Sequence, residues 1–206
     1  MLRIEEVCEL PRDAVPASFR VKWADAGWEI AQARRLRRQV FCVEQGLFGG
    51  AAGAGDRDAV DAGAQTLVAV SELGGMPDRV VGTVRIHADH DGLWWGSRLA
   101  VEPACRPLGG LGAALIRLAV CSAHARGARL FLAHVQAPNR PLFEKLHWQA
   151  LRPLQLHGTA HWLMQADLAH YPPCHDPISG WALRAARSSG GPGARRPGAH
   201  AAARPR

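Results

Sequence analysis

Apolar positions recur every three or four residues in two long stretches of the chain, and that spacing predicts two helices. In the first, Trp28 to Phe41, one face carries Ile30, Ala33, Leu36 and Val40. Arg34, Arg35, Arg37 and Arg38 lie between them and read as a solvated face. In the second, Leu111 to Arg126, the apolar positions are 111, 114, 115, 118 and 119, and Gly127 stands where a left-handed helix end belongs. Shorter runs predict strands at 3–10 and 21–23, and a buried one at 64–72. Two more follow at 80–87 and 93–101, separated by turn residues, so 64–101 predicts an antiparallel meander. Leu130 to Val135 is apolar almost throughout, which fits a strand covered on both faces. Pro141 opens a short helix to Leu146, and 150–156 with 161–168 predicts a closing hairpin. Strands and helices mixed in this order give an α+β domain with a mixed sheet.

Composition narrows the class. The chain has 206 residues, 48% hydrophobic and 21% charged, enough apolar side chain for a packed core. No run approaches the roughly 18 consecutive apolar residues of a membrane span. Met1 to Arg20 carries Glu5, Glu6 and Glu9 without an apolar stretch, so no secretory signal is expected. The five cysteines (8, 42, 105, 121, 174) are odd in number and form no Cys-x-x-Cys pair. That disfavours a disulfide framework or zinc ribbon and predicts a cytoplasmic protein. The net charge of +7 invites a polyanion partner, but six arginines (184, 187, 195, 196, 204, 206) fall in one acid-free Gly/Pro/Ala-rich stretch. Without their charge, residues 1–183 stand at +1. The chain therefore reads as one domain, 1–183, followed by a disordered basic tail, 184–206. Neither a nucleic-acid nor a membrane partner is needed.

The chemistry lies where the strand ending at Val101 passes through Arg106-Pro107-Leu108-Gly109-Gly110-Leu111-Gly112-Ala113 into the second helix. Glycines admit close backbone approach and positive φ. N–H groups at a helix start, with the helix dipole, attract an anion. A phosphate-bearing ligand is the direct reading. No Gly-Lys-Ser/Thr follows, which excludes a nucleotide P-loop, and the motif comes late in a mixed sheet, which disfavours a dinucleotide fold.

These residues resemble the GNAT (Gcn5-related) N-acetyltransferase superfamily. The matching elements are Val101-Glu102-Pro103, Arg106 and Gly110-Leu111-Gly112, with one extra residue before the glycines. Asn139 and Phe143-Glu144-Lys145-Leu146-His147-Trp148 match a second family segment. Leu36-Arg37-Arg38-Gln39-Val40-Phe41-Cys42-Val43-Glu44-Gln45, the acids Asp56, Asp58 and Asp61, Trp94 to Leu99, and Ala133-His134-Val135-Gln136 are similar to a narrower bacterial subfamily associated with nitrogen-starvation gene clusters.

The resemblance implies a GNAT-like acyl-CoA N-acyltransferase fold in which strands 93–101 and 130–136 run parallel and splay apart. It implies acetyl-CoA as co-substrate and a small-molecule amine as acceptor, joined by direct attack. Leu99, Ala100 and Val101 would pair with the pantetheine amides. Arg106, Gly109, Gly110, Leu111, Gly112 and Ala113 would wrap the pyrophosphate, and Asn139 and Phe143 would line the CoA arm. Glu44 is the first candidate base and Glu102 the second. The family's acid tyrosine is replaced by Phe143, which has no proton to give, leaving His134 and His147 as alternatives. That replacement keeps a non-catalytic acyl-CoA sensor as a second reading. The acids at 56–61 point to a cationic amine. One of Trp94 and Trp95 should face the cleft. Histidines at 87, 90, 157, 161, 170 and 175 do not make a convincing metal set, and no metal is expected. Monomer and homodimer both remain open.

Overall fold

The computed structural model describes residues 16–48 and 55–185. Eight strands form one sheet: β1 Ser18–Trp23, β2 Gln65–Leu73, β3 Met76–Ala88, β4 Leu93–Val101, β5 Leu130–Gln136, β6 Trp148–Leu156, β7 Thr159–Ala166 and β8 Trp181–Arg184. Their spatial order is β6-β7-β5-β4-β3-β2-β1-β8. Among the described residues three α-helices complete the fold: α1 Gly27–Arg37, α2 Leu111–His124 and α3 Arg140–Lys145. The meander expected over 64–101 is β2-β3-β4, antiparallel throughout. The strand expected at 3–10 lies outside the described residues.

Among the described strands only β4 and β5 pair in parallel, over four rungs, Leu93↔Leu130 to Gly96↔Ala133. Beyond Gly96 the two strands part, which is the splayed pair that the family resemblance implies. Two local features produce the split. At Gly96 the strand must pass close to Phe131, whose ring would lie 3.0 Å from an added Cβ. Next, β4 bulges: Thr83 faces Ala100 while Arg85 faces Ser97, so β4 carries one extra residue. Arg98 in the bulge takes φ +57°, a left-handed conformation that costs a non-glycine residue about 1–2 kcal/mol. A bulge bends and twists its strand, here turning the end of β4 away from β5.

The larger core lies between the sheet and α2, around Phe19, Leu67, Ile86, Leu115, Leu118 and Phe131. The periodicity of α2 predicts one apolar face, yet ten of its residues are buried, including Val120 and Ser122. The segment after β7 lies across its outer side: the Cys174 N–H bonds Cys121 O at 2.9 Å, and His124 Nδ1 meets Tyr171 O at 2.6 Å. Tyr171 is 1% exposed; its hydroxyl donates to Leu146 O and accepts from Trp148 Nε1. Burial pushes its phenol up to about 12.

On the opposite face, α1 packs over β2 and β3 through Ala33 and Leu36. Glu29 fixes its start, accepting the N–H groups of Asp25 and Ala26 and bonding Lys22 Nζ. The expected helix to Phe41 instead widens at Arg38 into a π-helical stretch, Arg38–Glu44. π-turns are uncommon and concentrate at functional sites. Arg34, Arg35 and Arg38 are exposed as expected, but Arg37 is not. It is 3% exposed and bonds Asp56 at 2.5 Å and Asp61 at 2.7 Å.

The four-residue β8 has no counterpart in the sequence reading. It pairs antiparallel with β1, Ser18↔Arg184 to Val21↔Trp181. Arg184, placed at the start of the tail by sequence, is the last residue of this strand; 186–206 lie outside the described residues.

Candidate active site

The split between β4 and β5 opens a cavity of about 610 Å³ that reaches both faces of the sheet. On the α2 side it is walled by Ile116, Ala119, Phe131, Phe143 and Trp148. On the α1 side it is walled by Phe41, Leu47, Phe48, Arg85, Trp95 and His134, among others. A molecule entering from each face would meet the other at the split.

The donor side follows from contiguous sequence. Past Gly96, Leu99, Ala100 and Val101 keep β3 on one edge, with Ala100 opposite Thr83 and Val101 opposite Gly82. Their other edge has no strand partner among the described residues. Unpaired strand edges recruit extended chains through backbone hydrogen bonds. The extra residue before the glycines is absorbed by a 3₁₀ turn, Pro103–Leu108. Gly109 closes that turn at φ +67°, ψ +161°, a region essentially reserved for glycine. Gly110, at φ +80°, then caps α2. So Gly109 ends one helix and Gly110 begins the next. The N–H groups of Gly112 and Ala113, in the first turn of α2, have no hydrogen-bond acceptor among the described residues. They are free for an anion, and a Cβ at either Gly109 or Gly110 would point into open space. None of Gly109 to Ala113 is among the residues that line the cavity.

Arg106 does not point into that turn. Its Nε donates to Val101 O at 3.0 Å, and its Nη atoms donate to both oxygens of Glu44, at 2.6 and 2.8 Å. The sequence reading gave these two residues separate tasks; the structure pairs them across the mouth of the site. Arg106 holds the Glu44 carboxyl below the ordinary range. Glu44 does not line the cavity. Neither does Glu102, which faces Arg79 at 3.6 Å and accepts from the Cys105 thiol. Asn139 and Phe143 do line it; Phe143 packs edge-on against Trp148 with centroids 5.0 Å apart.

The acceptor side draws on distant parts of the chain. Trp95 faces the cleft, while Trp94 packs toward the α2 core. Trp95 lies opposite His87 on β3, and its ring is 5.1 Å from that of His134 on β5. Burial and then Arg85 lower the basicity of His87. Burial, then His161 and Arg152, do the same for His134. Both imidazoles therefore favour the neutral form, which can take up a proton. The other candidate acid, His147, stacks on His170 at 3.7 Å outside this cavity.

The acids at 56–61 do not form an acidic patch. Arg37 bonds Asp56 and Asp61, while Arg85 bonds Asp58 and approaches Asp61 at 3.0 Å. Arg98 bonds Asp58 and lies 3.7 Å from Asp56. Three aspartates are matched by three guanidiniums. Burial alone would raise Asp61, but the Arg37 hydrogen bond holds it well below the usual carboxylate range. The Arg85 hydrogen bond likewise lowers Asp58. Contiguous acids could be read from sequence; the arginines that neutralise them come from α1, β3 and β4 and could not.

Among the described residues there is no group of three or more metal-ligating side chains, and no helix is long and apolar enough to cross a membrane. Cys42, Cys105, Cys121 and Cys174 are free thiols; burial pushes Cys105 and Cys121 up to about 11, and none of the four lines the cavity.

Comparison with known proteins places this geometry. A model of the acetyltransferase (GNAT) family matches residues 5–148. No curated protein matches the sequence. Among solved structures, a protein of Lactobacillus plantarum assigned as an N-acetyltransferase is 21% identical, with a TM-score of 0.61 over 72% of this chain and 97% of that one. An acyl-CoA N-acyltransferase from Pseudomonas aeruginosa is 19% identical, with a TM-score of 0.53 over 72% and 98%. A CoA-dependent acyl-homoserine lactone synthase, BjaI, is 18% identical, with a TM-score of 0.57 over 76% and 88%. At these identities the likeness is one of fold. With the family match over most of its length and the split sheet of that fold, the chain belongs to the acetyltransferase (GNAT) family of acyl-CoA-dependent N-acyltransferases.

Proposed function

We propose that the protein transfers an acetyl group from acetyl-CoA to the amine of a small molecule by direct attack. The observation that carries this reading is the cavity through the β4–β5 split, lined on one side by Leu99, Asn139 and Phe143 and on the other by His87, Trp95 and His134. The free edge of Leu99 to Val101 would hold the pantetheine arm, and the backbone of Gly109 to Ala113 the pyrophosphate. The amine nitrogen forms a bond to the thioester carbonyl carbon, and a backbone N–H past the split stabilises the oxyanion. The C–S bond then breaks. The amine loses one proton, which His134 or His87 is positioned to accept, and the CoA thiolate takes one up from water.

Neither Glu44 nor Glu102 has the placement of a base acting in this cavity, and the histidines take that role in the proposal. A CoA thiolate is a good leaving group, so Phe143 in place of an acid is tolerable. That same Phe143 is the observation favouring the second reading, an acyl-CoA sensor without turnover. The Leu36–Gln45 segment of the narrower resemblance contains the π-turn, and its Phe41 and Gln45 line the cavity.

The test is a thermal-shift titration with acetyl-CoA, followed by thiol release across an amine panel. Acetyl-CoA should raise the Tm, and at least one amine should release thiol. No shift at saturating acetyl-CoA would remove both readings, while a shift with no release from any amine would favour the sensor.

A further inference from the structure

The charge lining the acceptor arm points to what enters it. Asp58 is the sole carboxylate among the lining residues, and Arg85 and Arg98 both hold it. Its neighbours Asp56 and Asp61 are bound by Arg37. A cationic ligand group therefore finds no free counter-charge on this wall. Arg57 comes from the same segment, lines the cavity, is exposed, and forms no ion pair among the described residues. The same cavity also has an apolar part of its lining, with Phe41, Leu47 and Phe48. His87 Nδ1, on the same arm, is buried without a hydrogen-bond partner among the described residues. A buried polar atom of that kind costs free energy until a ligand group or water reaches it.

Resting on the N-acetyltransferase reading above, we infer that the acceptor is an amine that also carries a carboxylate, attached to an apolar body, and that Arg57 binds the carboxylate. The guanidinium matches a carboxylate in charge and in planar two-point geometry. The same surplus of positive charge also favours the reacting amine in its neutral, nucleophilic form, since nearby cations lower an ammonium pKa. A polyamine gains nothing here and is repelled. This reverses the expectation of a cationic acceptor drawn from Asp56, Asp58 and Asp61.

The experiment compares amine sets that share one apolar side chain and differ only at the acid: an amino acid, its carboxamide and the decarboxylated amine, with spermidine as the polycation. Rates are referred to free-amine concentration. The carboxylate member should exceed its carboxamide at least tenfold in kcat/KM, chiefly through KM. Arg57→Gln should shrink that ratio below threefold. Carboxamides or spermidine turned over as well as the acids, or an unchanged ratio in Arg57→Gln, would overturn the inference. If acetyl-CoA binds but no amine is acetylated, thermal shifts of the CoA complex with the same compounds decide it by the same ordering. If acetyl-CoA does not bind, the transferase reading fails, and shifts of the free protein still report the charge preference.

Discussion

The two sides of the proposed site are built in opposite ways. The donor side comes from one run of sequence, Leu99 to Ala113, and its groups are backbone: a strand edge with no partner among the described residues, two glycines at positive φ, and a helix start. The acceptor arm comes from six separate places, the π-turn with the residues after it to Phe48, the 55–62 segment, β3, β4, β5 and the β6–β7 hairpin, and its groups are side chains. In the proposed reading, backbone geometry would bind the CoA. Side chains gathered from distant positions decide what is particular to this chain.

That difference predicts where substitutions bite. The largest effect on the fold should come from Arg37→Met, which leaves the buried Asp56 and the partly buried Asp61 without their main cation. Removing one partner of a buried pair costs about 3–5 kcal/mol. Urea unfolding should register that loss, while acetyl-CoA affinity in the folded fraction should change little; a loss below about 1 kcal/mol would mean the cluster is solvated and does not brace the arm.

Gly109→Val should do the reverse. A β-branched residue in that conformation costs about 1–3 kcal/mol, and acetyl-CoA affinity should fall at least tenfold by calorimetry. Unchanged affinity would take the glycine turn out of the donor arm.

The aspartate cluster also sets a pH dependence. Asp58 and Asp61 have folded-state pKa values below their unfolded ones, so their contribution is present above about pH 4 and lost as pH falls through the folded values. Unfolding stability should drop on acidification below about pH 4, and Arg37→Met should flatten that slope. An unaltered slope in the variant would assign the acid sensitivity elsewhere.

A smaller effect is expected at the mouth. The Arg106–Glu44 pair is more than one-third exposed on both sides and is worth at most about 1 kcal/mol. Glu44→Gln should change kcat less than threefold. A tenfold loss would restore Glu44 as the base. Smallest of all, removing residues 186–206 should leave both Tm and acetyl-CoA affinity unchanged.

Local patterns were legible in the sequence. Strand β4 occupies Leu93–Val101 as its alternation predicts, and α2 begins at Leu111. The glycine motif needed only its neighbours to be recognised. What was not legible depends on contacts between distant positions. The spacing of α1 continues through Phe41 and hides the π-turn. Arg37 looks like its exposed neighbours until Asp56 and Asp61 fold over it. Strand β8 is four residues long and gains its identity only beside β1. By sequence His87 reads as one of a weak metal-like set and His134 as an alternative acid, and only the sheet order sets them on either side of Trp95. Glu44 stood near the acceptor site in sequence logic, but the bidentate geometry of Arg106 holds it at the rim.

The central claim is that donor and acceptor meet in one cavity at the β4–β5 split and react without a protein-bound intermediate. The direct measurement is a rapid-quench single turnover with acetyl-labelled CoA and a productive amine, following intact protein and small molecules by mass spectrometry. The account predicts acetylated amine appearing in step with free CoA, and protein that never gains the 42 Da of an acetyl group, the mass that transfer to a side chain would add (about one acetyl per chain, by the covalent route). Acetylated protein forming and decaying at the rate of turnover would contradict it.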